Sequence, residues 1–109
     1  MENPKISYDD ESAEVVNLHK AEYYDGNLAI VAELVWNDGN KEKTKVSVNL
    51  PDQAHFLAEG QFFAKNYSEG ERVFNALIAS GWIVSTGHVG SSGYARPPVC
   101  VIGPNAVIV

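Results

Sequence analysis

The sequence predicts an α+β domain, a mostly antiparallel sheet of four to six strands with one main helix, about residues 69–80, packed on one face. Three observations predict it. Two Asp-Gly turns, at 24–27 and 37–40, separate stretches whose apolar residues recur with the period of a strand. Residues 68–81 carry start and stop signals of a helix around an apolar stripe. Two short stretches rich in β-branched residues, 82–86 and 99–102, follow that helix and supply further strands.

Each element has its own local reason. Residues 14–23 are apolar-rich with a broken alternation, and Asp25-Gly26 then gives a two-residue hairpin signal. Residues 28–36 place Leu28, Ile30, Ala32, Leu34 and Trp36 on one face. The other face carries Ala29, Val31 and Val35, interrupted only by Glu33, which reads as a central strand. After Asp38-Gly39 a third strand, 41–50, alternates cleanly. Thr44, Val46, Val48 and Leu50 are expected inward, and Lys43, Lys45, Ser47 and Asn49 outward, the lysines discouraging edge-to-edge pairing. Pro51 ends it, because proline has no N–H for the ladder. The connection beyond has Phe56, Leu57, Phe62 and Phe63 to bury, with a short strand at 61–65. Ser68 as N-cap, Glu71 completing a capping box and Gly81 past the end delimit the helix, whose stripe is Val73, Phe74, Leu77 and Ile78. Gly70 weakens its first turn. The apolar tail 106–109 is expected to pack on the sheet or to make a homodimer by adding a strand to a neighbour.

Composition bounds the function classes. At 109 residues, with 45% hydrophobic and 20% charged, the chain fits one domain, 1–109, able to bury roughly two thirds of its unfolded surface. No apolar run approaches the roughly 20 residues that span a bilayer, so no membrane association is expected and the chain reads as cytoplasmic. The single cysteine, Cys100, lies in an apolar run and reads as a buried structural thiol. Most of the net charge of −6 sits before residue 27. Residues 1–13 therefore read as a flexible acidic arm, the partner expected for such a surface is a basic protein, and direct nucleic-acid binding is not expected.

No catalytic motif stands out. Histidines 19, 55 and 88 fall in different elements without the spacing of a zinc site, so no metal or other cofactor is expected. Ser91 and Ser92 near His88 lack an orienting carboxylate and a nucleophile elbow. What remains is the glycine-rich stretch 87–98, which combines three glycines with an aromatic and a cation. The candidate binding residues are His88, Ser92, Gly93, Tyr94 and Arg96; no catalytic residue is assigned.

Several short strings resemble a known family. Val48-Asn49-Leu50-Pro51, Asn66 before the helix, and Ser92-Gly93-Tyr94 followed by Pro98 resemble a family of small bacterial domains of unknown function carried by conjugative elements, plasmids and phages. The resemblance covers about residues 28–102; the chain has Ala95 where a cysteine is common and Pro97 where an aromatic is expected. It implies a mobile-element accessory protein and carries over no catalytic residues. The leading expectation is a non-enzymatic protein-binding factor, inhibition of a host defence enzyme being one form of it. The alternatives are a small-ligand or anion-binding module on the 87–98 loop, with or without weak enzymatic activity, and a structural or dimerisation domain.

Overall fold

Two five-residue turns with nearly the same sequence fold the N-terminal half back on itself. In the computed structural model, which describes residues 3–109, residues 23–27 and 36–40 each read aromatic-x-Asp-Gly-Asn. Each glycine takes a positive φ, 86° at Gly26 and 90° at Gly39, and donates to the carbonyl of the aromatic residue at 2.8 Å. Each aspartate carboxylate accepts the N–H of the asparagine two residues on, at 3.1 Å for Asn27 and 2.9 Å for Asn40. Those bonds hold Asp25 and Asp38 in ordinary backbone regions, so the expected two-residue turns are three-residue turns with glycine alone left-handed.

These turns build a sheet in the order β1-β2-β3-β4, all antiparallel, from β1 (Lys5–Tyr8), β2 (Glu11–Glu22), β3 (Leu28–Trp36) and β4 (Lys41–Lys45). The acidic arm expected at 1–13 is corrected over its described part. Residues 5–8 are a strand, Ile6 and Ala13 are buried, and the Arg72 guanidinium lies 4.1 Å over the Tyr8 ring while donating to the Ser7 carbonyl. Met1 and Glu2 lie outside the described residues. The broken alternation of the second strand is a bulge between Val15 and Asn17, which turns both Val15 and Leu18 inward beside Ile30, Ala32 and Leu34.

The strand expected at 41–50 is instead two, and Val46 is where it changes sheets. Its N–H donates to the Ile30 carbonyl at 2.8 Å, and its carbonyl accepts from Lys65 N–H at 2.7 Å. The change of direction resets the alternation, so Ser47, expected outward, is buried beside Val46. Its hydroxyl accepts the Ile30 N–H at 3.0 Å and shares a 2.8 Å bond with the Tyr23 hydroxyl, replacing the ladder bond that the departing strand no longer offers. β5 (Ser47–Val48) then starts the second sheet, in the order β5-β6-β8-β7, with β6 (Gln61–Ala64), β7 (Ile83–Val89) and β8 (Pro98–Ile102). The fold is α+β, its antiparallel strands divided between two sheets that share one core.

Between β5 and β6 a 3-10 helix, Pro51–Phe56, begins at the proline expected to end the strand. Phe62 and Phe63 are buried and Leu57 half-buried, but Phe56 is 74% exposed, against the expectation of burial. The main helix is a 3-10 turn, Ser68–Gly70, running into α1 (Glu71–Ser80). The capping box does not form. Ser68 itself has a φ of 53° and caps nothing, and Glu69 pairs with Lys65. The chain crosses itself closely here: a Cβ on Gly70 would stand 2.9 Å from the Lys65 carbonyl oxygen. α1 lies against β1 and β7, with Val73 and Leu77 in the shared core, Phe74 half-buried and Ile78 exposed. Gly81, at φ 75°, ends it in the left-handed conformation.

The tail is engaged within its own chain. Val107 accepts from Leu18 N–H at 2.8 Å and Val109 N–H donates to the Leu18 carbonyl at 3.0 Å, a parallel bridge just past the β2 bulge. β1 and the tail thus share one edge of β2, and the tail packs on its own sheet through the Val107 carbonyl and the Val109 N–H. Among the described residues no helix is long and apolar enough to cross a membrane.

Candidate functional site

The glycine-rich stretch is a structured hairpin. β7 runs on to Val89, past the expected end at Thr86, over a bulge between Ser85 and Val89 at which Gly87 takes a φ of 94°. Side chains replace the ladder there. The Thr86 hydroxyl donates to the Val99 carbonyl at 3.0 Å, and Ser85 Oγ accepts from Gly87 N–H at 3.2 Å. Gly90 N–H donates to the Pro97 carbonyl at 2.7 Å, and Ser92 and Ala95 exchange both backbone bonds, at 3.1 and 2.9 Å. Gly93 and Tyr94 make the two-residue turn, with Gly93 at φ 60° and Tyr94 at an ordinary φ, the pattern of a glycine-first hairpin turn.

The tip is held from three sides. Arg96 Nη1 donates to the carbonyls of Ala95 at 3.1 Å and Gly93 at 3.3 Å and to Ser91 Oγ at 3.3 Å, so one nitrogen of the guanidinium fastens its own hairpin. The Gln53 side chain acts as a surrogate strand: its Nε2 donates to the Ser91 carbonyl at 2.8 Å and its Oε1 accepts from Ser91 N–H at 3.0 Å. Asn66 Nδ2 donates to the Arg96 carbonyl at 3.3 Å. Tyr94 stands fully exposed at the end of this scaffold.

Beside the hairpin is an open groove of about 320 Å³. Phe63 and Val99 are buried at its base, and Phe56 and Val89, 74% and 61% exposed, flank it. Gln53, Gln61 and His88 complete it. The His55 and Phe56 rings pack at 4.1 Å, which steadies the exposed phenyl ring. Gly90 matters for shape, since a Cβ there would stand 2.7 Å from the Phe63 ring.

The five residues singled out from the sequence are thus divided. Ser92, Gly93, Tyr94 and Arg96 form the hairpin tip, whereas His88 is exposed on β7 and lines the groove, which Arg96 does not. No family model, curated protein or solved structure matches this chain. Its chemistry is therefore read from geometry alone. No hydrogen bond joins His88 to Ser91 or Ser92 among the described residues, and no three metal-ligating side chains gather there. Burial pushes the Cys100 thiol up to about 11 and keeps it in its neutral form. Sequence reasoning missed Gln53, Phe56 and Val89. The available signal was Phe56 in a polar segment directly after Pro51, whose proline-initiated helix turns an aromatic toward solvent instead of core.

Proposed function

We propose that this chain is a non-enzymatic protein-binding module whose contact surface is the Tyr94 tip and the adjoining groove. The observation that carries it is a fully exposed tyrosine on a hairpin fastened by Arg96 and Gln53, next to exposed Phe56 and Val89. A tyrosine on a fastened backbone has only its own side-chain torsions to lose on binding, and an apolar groove accepts a side chain of the partner; both are properties of interface anchors. Arg96 supports the reading as a positioning residue. The family resemblance gives the setting, an accessory protein of a mobile element acting on a host protein.

The test is affinity capture from host lysate with wild type beside Tyr94→Ala and Phe56→Ala, neither of which removes a buried side chain. A partner retained by wild type and lost from both variants is the expected result. Equal retention by all three sinks the proposal. Small-molecule binding at the groove that survives Tyr94→Ala, read by thermal shift, favours the ligand-binding alternative.

A further inference from the structure

The second surface with unused bonding capacity is the free edge of β4. Its hydrogen-bond phase follows from its two ends. At one, Trp36 N–H donates to the Asn40 carbonyl; at the other, Val46 N–H donates to the Ile30 carbonyl, both at 2.8 Å. In an antiparallel ladder residues alternate between bonded and non-bonded pairs, so Glu42 and Thr44 bond β3 whereas Lys41, Lys43 and Lys45, opposite Val35, Glu33 and Val31, do not. The N–H and C=O groups of these three lysines point away from β3. Because the sheet order ends at β4, no strand receives them.

The same three residues set the chemistry of that edge. Their side chains stand on the face opposite the buried Ala32 and Leu34, spaced two residues apart, about 6.8 Å. None is paired with a carboxylate: among the described residues the one ion pair is Lys65–Glu69. Glu33, the only acid directly opposite a lysine of the row, accepts instead from Asn17 Nδ2 at 3.3 Å, and Lys45 Nζ sits 5.2 Å over the Tyr23 ring. Glu42, on the other face, accepts from Trp36 Nε1 at 3.2 Å. In a chain of net charge −6, this edge presents three main-chain pairing sites, each carrying an unneutralised cation.

We infer that β4 is a docking edge for an extended segment of another protein with aspartate or glutamate at alternate positions. Main-chain bonds to Lys41, Lys43 and Lys45 supply attachment, and a carboxylate opposite each ammonium supplies selection. Charge complementarity names the occupant. A second copy pairing through β4 would set lysine against lysine and is repelled, so the row that discourages self-association admits an acidic strand. This surface is separate from the Tyr94 groove.

The probe is a short synthetic peptide alternating glutamate and threonine, titrated into the full chain and followed by backbone amide resonances and their exchange. Saturable binding with new protection at Lys41, Lys43 and Lys45 is expected, weakening as salt is raised. Reversing the row (Lys41→Glu, Lys43→Glu, Lys45→Glu) should weaken the acidic peptide on the order of tenfold and create binding to a lysine–threonine peptide. Lys43→Pro deletes one outward N–H without touching the β3 ladder and should weaken binding while the circular dichroism spectrum stays native. Tyr94→Ala should change nothing. Absence of saturable binding, equal binding of a peptide with its glutamates grouped at one end, or unchanged binding by the charge-reversed row overturns the inference.

Discussion

Ser47 joins the two sheets through a single hydroxyl. Ser47→Ala leaves the buried Ile30 N–H and the half-buried Tyr23 hydroxyl without their partner, and the expected loss is about 2 kcal/mol by urea denaturation. Nothing in the alternation of 41–50 reveals this, because the strand leaves its sheet one residue earlier and both Val46 and Ser47 are buried. Cys100, by contrast, is the buried thiol that its apolar run predicts. Its folded value, about 11, lies above the ordinary 9.0, so between these values the unfolded chain holds fewer protons than the native one. Stability contributed by the neutral thiol is therefore full below pH 9.0 and falls as pH rises toward 11. Denaturation midpoints measured across that window should decline less in Cys100→Ala than in wild type.

At the scale of elements, the start of the helix separates a local signal from its tertiary outcome. Ser68 and Glu71 have the spacing of a capping box, yet Ser68 bonds no helical N–H. Ser68→Ala should thus change stability by no more than about 0.5 kcal/mol, where a true cap costs about 1. Gly70→Ala, which helix propensity alone favours, should destabilise by about 1–3 kcal/mol because its Cβ meets the Lys65 carbonyl. Paired denaturation curves check both. The 87–98 stretch teaches the same lesson from the other side. Its glycines were legible as turn residues, and Gly87 and Gly93 do take positive φ, but the hairpin needed Gln53 from 38 residues away to fix its tip.

For the molecule as a whole, the tail bridges β2 at Leu18, beyond the part of that edge that β1 covers. Deleting residues 106–109 removes two backbone bonds to Leu18 and should lower the melting temperature by about 5–10 °C. Molar mass by light scattering should be unchanged, because the tail pairs with Leu18 of its own chain; a lower mass after truncation would favour the dimer reading. The site divides in the same way. Tyr94 was legible as an exposed aromatic in a glycine-rich turn, whereas the groove brings together four separated segments, 53–56, 61–63, 88–89 and Val99, that no local pattern connects.

What the sequence determined by itself is whatever depends on neighbours a few residues away: the α+β class, the Asp-Gly turns, the helix and its glycine stop, the apolar faces of the first strands and the lysine row. The tertiary structure decided where strand 41–50 breaks, which of its residues are buried, what Arg96 and the tail bond to, and that the groove exists. These are settled by long-range backbone bonds such as Ile30 to Val46, Lys65 to Val46 and Leu18 to Val107, and by the approach of Gly70 to Lys65 and of Gly103 to Gly81. A buried backbone group must find a partner, and where its own strand cannot supply one, only the folded chain determines which distant residue does.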